Sequence, residues 1–247
     1  MKKISILLCG IFSLTLMSQE SSKEAINIIK KIDRNMFSET QIITSEMIVY
    51  GKRKNRIIRS KGYSKGQKNN FTEYLSPDRE KGTKMLKLND RLWIYSPATD
   101  RTIQLSGHLL RQSVMGSDLS YEDMMEERKL SEIYNVQVIG EEKYENTPVW
   151  VLELIAKSDD LAYHKRILWI DKKRFVPLKE NLFAKSGTLL KTTLFSEIKR
   201  IDGRWFPTKM NYKDALKKGK GTDFVILNIS FNNKIADEYF TKSILKK

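Results

Sequence analysis

The chain has 247 residues, of which 40% are hydrophobic and 10% are aromatic. This composition excludes an intrinsically disordered chain, and the length suffices for one sizeable core without requiring a second domain. The formal net charge of +15 at pH 7 would suggest a nucleic-acid partner for a cytosolic protein. The expected partner therefore depends on the compartment in which the protein is located.

The N-terminus has the pattern of a cleaved secretory signal peptide. Lys2 and Lys3 precede an uncharged apolar run over residues 4–17, and polar residues follow from Ser18. The run is short for a membrane span and has the flanks of an export signal. We therefore predict a signal peptide over residues 1–19, one mature domain over residues 20–247 and a periplasmic location. Anionic lipid, a membrane surface or an acidic protein are then the expected partners of the basic chain, and nucleic acid is not.

Cys9 is the only cysteine of the chain. A lipoprotein precursor carries its modified cysteine at the end of the apolar run, whereas Cys9 lies in the middle of it, after Leu8. We interpret Cys9 as an apolar residue of the leader and predict no lipid anchor there. The mature protein is then expected to have no disulfide and no thiol chemistry.

The mature chain begins with one helix and continues as strands. Residues 20–37 have apolar side chains at helical spacing, and Ser21 or Ser22 can cap this helix. From Ser45 the period changes to two. Candidate strands cover residues 45–52, 56–64, 69–75, 82–88, 91–96, 101–105, 136–144, 149–158, 165–171, 177–184, 189–201, 205–213 and 222–228. Many strands with short turns predict an all-antiparallel sheet, curled or closed.

The meander of strands is interrupted after Leu105. Residues 107–116 have helical spacing in a segment too short for a stable helix alone. Ser120 can then cap a short acidic helix over residues 121–127, with Asp123 as the carboxylate at its third position.

Residues 76–125, which include SPDREKGTKML and LWIYSPATDRTIQLSGHLLRQSVMGSDLSYEDMM, resemble the middle of the outer membrane lipoprotein-sorting family, the LolA/LolB-like superfamily. The resemblance is strongest to a poorly characterised bacterial branch often encoded beside membrane exporters, and a looser likeness extends from about Ser22 to the C-terminus. It implies a mainly β (α+β) fold: an incomplete, strongly curved antiparallel β-barrel whose N-terminal helix and short lid helices enclose an apolar cavity for acyl chains.

Several strands carry large apolar residues at both parities, for example 149–156, with the sequence VWVLELIA. Such strands are either covered on both sides or turn one face to a hydrophobic interior. With the resemblance in view, we predict a lipid cavity lined by Leu86, Leu88, Trp93, Tyr95, Ile103, Leu105, Trp150, Leu152, Leu154 and Trp169.

The segment that interrupts the meander is predicted to be a lid over this cavity. Its apolar residues, Leu109, Leu110, Val114 and Met115, would cover the mouth, because methionine adapts to varied apolar surfaces. Polar residues at the rim would hold the lid by bonds that can open; these are Arg79, Arg101, His108, Arg111, Ser113 and Asp118. The two strand-end arginines are candidate partners of Asp118 or of a ligand phosphate. A capped loop without a moving part would give the same pattern.

The sequence contains no recognisable catalytic or metal-binding set. Its two histidines, His108 and His164, lie in different elements without a nearby cysteine, so we predict no metal, no cofactor and no enzymatic activity. Residues 217–222 lack the spacing of a phosphate loop and are interpreted as a solvated basic turn. The acidic residues of 122–127 are interpreted as a solvated helix face. The basic run over residues 52–68 predicts a patch for transient membrane contact, or a merely soluble edge.

Two functions from different classes fit these observations. The first is a periplasmic carrier that shields the acyl chains of a lipid or lipoprotein during transfer between envelope membranes, or to and from an exporter. Its partners would be that cargo and an inner-membrane exporter or an outer-membrane receptor. The alternative is a non-catalytic adaptor or sensor subunit that binds an envelope exporter or regulator.

Overall fold

A single antiparallel sheet of 13 strands, in the order β6-β5-β4-β3-β2-β1-β13-β12-β11-β10-β9-β8-β7, forms the framework. The computed structural model describes residues 22–51 and 53–247, so the predicted signal peptide, Cys9 and Lys52 lie outside the described residues. The strands are β1 Thr40–Val49, β2 Arg56–Lys65, β3 Asn69–Ser76, β4 Lys84–Leu88, β5 Arg91–Ser96, β6 Arg101–Leu105, β7 Tyr134–Tyr144, β8 Thr147–Ala156, β9 Lys165–Asp171, β10 Pro177–Phe183, β11 Leu189–Ile201, β12 Arg204–Asp214 and β13 Thr222–Phe231.

The order is a meander in which β1 also pairs with β13, while β6 and β7 are the two edges. Register shifts interrupt several pairings, including those at Thr44/Ser45 and Val138/Gly140. Such bulges bend strands and increase their twist. The predicted mainly β, incomplete and curved antiparallel barrel is confirmed: the sheet is curved and does not close.

Helix α1, Lys23–Met36, lies on one face of the sheet. The Ala25 amide donates to the Ser22 side chain at 3.1 Å, which caps the helix as the sequence predicts. Its apolar stripe, including Ile28, Ile29 and Ile32, is buried against Leu152, Leu154 and other residues of β7–β9. We call the face of the sheet that contacts α1 the inner face.

The chain between β6 and β7 also lies on the inner face. It forms two 3-10 turns, Gly107–Arg111 and Val114–Gly116, and two short helices, α2 Tyr121–Met125 and α3 Leu130–Ile133. The capping box of α2 is present, since Ser120 and Asp123 bond each other's backbone amides. Helix α3 was not predicted, because four residues leave no periodic signal.

The outer face of β3–β5 is covered by the C-terminus. Two 3-10 turns, Asp237–Phe240 and Lys242–Lys246, pack Ile244 and Leu245 on this face. Tyr239 stacks on Tyr63 with ring centroids 4.1 Å apart. Both faces of these strands are therefore buried, which explains why large apolar residues occur there at both parities.

Candidate functional site

Residues 107–119, which we call the lid, cover the inner face of the N-terminal half of the sheet. Val114 is only 1% exposed and packs in one cluster with Met47, Ile58 and Leu92 of the sheet. Leu109, Leu110 and Met115 are half-buried against the same cluster, as are Tyr121, Met124 and Met125 from α2. All four predicted lid residues thus lie together on an apolar part of the inner face; their role as a moving cover stays a prediction.

Polar bonds fasten the lid at residues 113–118. Lys217 donates from its Nζ to Ser113 Oγ and to the Ser117 carbonyl, both at 2.7 Å. Asp118 accepts from the Thr222 hydroxyl at 2.9 Å and from the Asp214 amide at 3.0 Å. These bonds join the lid to the β12–β13 turn, so the interpretation of residues 217–222 as a merely solvated turn is wrong for Lys217 and Thr222.

An arginine does contact the lid, although it is not one that the sequence indicated. Arg56, at the start of β2, donates to the Met115 carbonyl. Met115 has a φ of 49°, a left-handed conformation that is unfavourable for a residue other than glycine, and Gly116 follows with a φ of 73°. The Arg56 bond and the buried Val114 hold this turn in place.

The other predicted latch residues are not brought to Asp118. Arg79 is 84% exposed on its side chain and lies 3.8 Å from Glu80. Arg101 is exposed at the start of β6, and His108 and Arg111 are exposed on the lid. The pairing of Asp118 with Arg79 or Arg101 is therefore wrong, because hydrogen-bond donors on β12 and β13 already occupy both of its carboxylate oxygens.

Helix α2 presents the carboxylate of Asp123 to the inner face rather than to solvent. Lys191 of β11 donates to Asp123, and the Tyr163 hydroxyl donates to the same carboxylate at 2.5 Å. Burial by itself would raise the pKa of Asp123, but the charge of Lys191 and the bonds from Lys191, Ser120 and Tyr163 lower it below the ordinary value. The prediction that the acidic residues of 122–127 form a solvated face is wrong for Asp123 and also for Glu127.

Glu127, just beyond α2, is held on the opposite side by β3 and β4. Its carboxylate accepts from Asn70 at 2.9 Å and from Lys87 at 3.3 Å, and the Lys87 side chain is 7% exposed. Burial raises the pKa of Glu127, and Lys87, Asn70 and Ser64 oppose that rise without cancelling it. Asp123 and Glu127 therefore anchor the region around α2 to two distant parts of the same sheet.

A third buried ion pair, Arg166–Glu180, lies close to Asp123. Arg166 of β9 is 3.1 Å from Glu180 of β10, and both side chains are nearly buried. Arg166 also donates to the Tyr134 hydroxyl at 2.9 Å. Burial raises the pKa of Glu180 despite the opposing charge of Arg166. The interior of this half of the barrel is consequently ionic as well as apolar.

The ten residues predicted to line one lipid cavity fall on both faces of the sheet. Ile103, Leu105, Trp150, Leu152 and Leu154 share the inner face, whereas Leu86, Leu88, Trp93, Tyr95 and Trp169 share the outer face. A common cavity for all ten is therefore wrong. The first four of the outer set pack with the C-terminal segment. Of the inner set, Leu152 and Leu154 pack under α1, and Ile103 is 53% exposed near the edge of the sheet.

Two of the spaces that adjoin α2 differ in size. An open cleft of about 980 Å³ extends from the β2–β3 turn to Leu110 and Met125. A smaller cavity of about 270 Å³ lies between α1, α2 and β9–β12, beside the Asp123–Lys191 and Arg166–Glu180 pairs. Within residues 22–51 and 53–247, no group of three metal-ligating side chains occurs, and none of the helices there has the length and hydrophobicity of a membrane span.

Comparison with known proteins identifies the class. A family model described as one of uncharacterized proteins matches residues 66–247, and no curated protein matches the sequence. The solved structures that match include three that are similar over almost their whole length. A DUF1329 family protein from Desulfovibrio piger has a TM-score of 0.81 at 25% identity and covers 92% of this chain and 99% of its own.

The other two structures connect this class to lipoprotein sorting. A domain from Vibrio parahaemolyticus assigned to outer membrane lipoprotein sorting has a TM-score of 0.76 at 26% identity, covering 91% of this chain and 99% of its own. A LolA superfamily protein from Nitrosomonas europaea has a TM-score of 0.76 at 25% identity, covering 89% and 98%. The chain belongs to the LolA-like family of outer membrane lipoprotein-sorting proteins.

Proposed function

We propose that the protein is an exported, non-catalytic carrier that shields the acyl chains of a lipid or lipoprotein under its lid. The observation that supports this most directly is the construction of the lid. An apolar part of the inner face is covered by a segment that lies outside the sheet and is fastened by a few side-chain bonds. The assignment of similar structures to lipoprotein sorting and the LolA superfamily agrees with this proposal.

The energies permit displacement of the lid by a ligand. Each hydrogen bond to the lid contributes about 1 kcal/mol net, and somewhat more where a charged group takes part. An acyl chain gains about 0.8 kcal/mol for each CH₂ group that it buries, so on the order of ten buried CH₂ groups offset the fastening bonds together. Leu109, Leu110 and Met115 can repack over the chain, which limits the loss of apolar contact.

The open cleft supplies a route to this surface. Leu110 of the lid and Met125 of α2 form part of its wall, next to basic residues of the β2–β3 turn such as Lys65 and Lys68. An amphiphile could place its apolar end against the first pair while its anionic group remains near the lysines. Transfer would then take place in the periplasm, between the envelope membranes or to and from an exporter.

A disulfide across the lid tests the proposal. Thr222 Oγ1 lies 2.9 Å from both the amide and the carboxylate of Asp118, so the two side chains are close enough for an Asp118→Cys/Thr222→Cys bridge. In a Cys9→Ser background these are the only cysteines. We expect the reduced protein to bind a fluorescent fatty acid and the oxidised protein to lose that binding.

The same protein under reductant is the control, because it carries both substitutions without the cross-link. Equal binding in the two redox states would show that the lid does not open for the ligand. If the wild-type chain also binds no fatty acid, and native mass spectrometry of protein purified from an envelope fraction shows no lipid, the carrier function is wrong. The adaptor function would then be tested by searching for a stable protein partner.

A further inference from the structure

The cavity of about 270 Å³ differs in chemistry from the surface under the lid. One part of its wall is apolar, with Ile32 and Met36 of α1 and Leu168 of β9. The rest is ionic and consists of the carboxylates Glu122, Asp123, Glu126 and Glu180 and the cations Arg128, Arg166 and Lys191. The volume is below the range of about 300–1,000 Å³ typical of drug-sized ligands, so the cavity suits a small chemical group better than a whole lipid.

The charges around the cavity alternate and nearly balance. Lys191 pairs with Asp123, Arg166 with Glu180, and Arg128 with Glu126 at 2.7 Å. An additional single charge would face a like charge beside each opposite charge of these three pairs, and Glu122 adds one further carboxylate. A group that carries both signs can instead place its anion near the lysine and arginine and its cation near the carboxylates, without changing the net charge.

Thr193 supplies an independent indication of a ligand. Its side chain lines the cavity from β11, the residue is 1% exposed, and its hydroxyl has no hydrogen-bond partner among the described residues. An unpaired buried hydroxyl is destabilising, and valine would fill the same volume with the same branching at Cβ. Packing alone therefore gives no reason for a threonine at this position, whereas a ligand oxygen would provide one.

We propose that this cavity binds a zwitterionic head group that bears a phosphate and an amine. The phosphate would accept bonds from the Thr193 hydroxyl and Lys191, and the amine would lie among the carboxylates. This inference rests on the proposed function, in which the acyl chains of the same ligand lie under the lid. Helix α2 lies between the two regions, with Met124 and Met125 on the lid side and Asp123 on the cavity side.

Thr193→Val is the variant that tests the proposal, measured by calorimetric titration. The ligands are phosphoethanolamine, a short-chain phosphatidylethanolamine and a short-chain phosphatidylglycerol with the same chains. We expect the wild type to bind the ethanolamine lipid at least about tenfold more tightly than the glycerol lipid, and Thr193→Val to lose about tenfold for the ethanolamine lipid alone. The melting temperature should stay unchanged or rise, because no protein bond is lost.

The matched control is Thr208→Val. Thr208 is also buried, but its hydroxyl donates to the Glu197 carbonyl at 2.8 Å, so this variant should melt earlier and keep the head-group preference. Tight binding of free phosphoethanolamine would identify a soluble phosphoamine as the source, and selective binding of the lipid alone would identify a membrane lipid.

Equal affinity for the two lipids, or unchanged binding by Thr193→Val, would overturn the head-group site and leave the cavity with water only. A fluorescent fatty acid separates this result from failure of the carrier function. Retained fatty-acid binding without head-group preference refutes only the site in the cavity. Loss of fatty-acid binding by the wild type refutes the carrier function itself.

Discussion

The Asp123–Lys191 pair links α2 to the sheet, and replacing only one of the two residues should lower the free energy of unfolding strongly. Lys191→Met leaves the Asp123 carboxylate, 11% exposed on its side chain, with the Tyr163 hydroxyl and the Ser120 donors as its remaining partners. Removing one partner of a buried ion pair lowers the free energy of unfolding by about 3–5 kcal/mol. We expect about 3 kcal/mol here, because those donors still satisfy part of the carboxylate.

The assay is equilibrium denaturation of both single variants and of Asp123→Asn/Lys191→Met at pH 7. A loss of about 3 kcal/mol corresponds to a drop of roughly 6–12 °C in melting temperature for a domain of this size. The double variant should lose less than the sum of the singles by about 1–3 kcal/mol, since it leaves no uncompensated charge. Additive losses, within about 0.5 kcal/mol, would refute the interaction.

The pH dependence gives the same prediction a second test. Because the pKa of Asp123 is lowered below 3.8, its contribution to stability is complete above that pH and is lost as the pH falls through the folded-state pKa. Without Lys191, burial dominates and raises this pKa. The difference in stability between Lys191→Met and the wild type should therefore be largest at neutral pH and shrink on acidification. A constant difference would contradict this.

Three further predictions concern other parts of the fold. Arg56→Leu removes the bond to the Met115 carbonyl and should speed release of a bound fatty acid in a chase experiment, whereas Arg111→Leu, an exposed lid residue, should not; equal rates would refute the lid bond. Because the pKa of Glu127 is raised above 4.5, the free energy of unfolding should fall as the pH rises above 4.5 and Glu127 ionises. Glu127→Gln should remove this dependence on pH. If the dependence is unchanged in the variant, another group causes it. Ser22→Ala should cost about 1 kcal/mol in thermal unfolding through loss of the α1 cap, and no change would show that the cap is dispensable.

Local patterns in the sequence were sufficient for most of the secondary structure. Runs of apolar residues between turn signals predicted every strand, and four strands, including Arg91–Ser96, have the predicted bounds. The Ser120–Asp123 capping box also follows from a short-range rule, since it needs a fixed spacing of three residues. Such signals lie within a few residues of each other and are visible in the sequence.

The faces of the sheet and the ion pairs could not be obtained in this way. Strand β5 alternates Leu92 and Ile94 with Trp93 and Tyr95, and either pair could line an interior. The C-terminal segment covers Trp93 and Tyr95 on the outer face of the sheet. The prediction that these two bulkier residues line the cavity therefore selected the wrong face. Similarly, Asp123 and Lys191 are 68 residues apart. No local spacing relates them, and a charged residue on a short helix ordinarily faces water.

The buried charges explain how so short an element can have a fixed position. A helix of five residues has too few internal bonds to be stable by itself, so its place is set by contacts outside it. Asp123 connects α2 to β11, while Glu127 connects the following turn to β3 and β4. Because these contacts are side-chain bonds and not sheet pairing, a change in the position of α2 and the lid would leave the hydrogen bonds between the 13 strands intact. The proposed carrier of varied acyl chains would require this arrangement, in which the sheet is stable independently of the lid and α2 that cover its inner face.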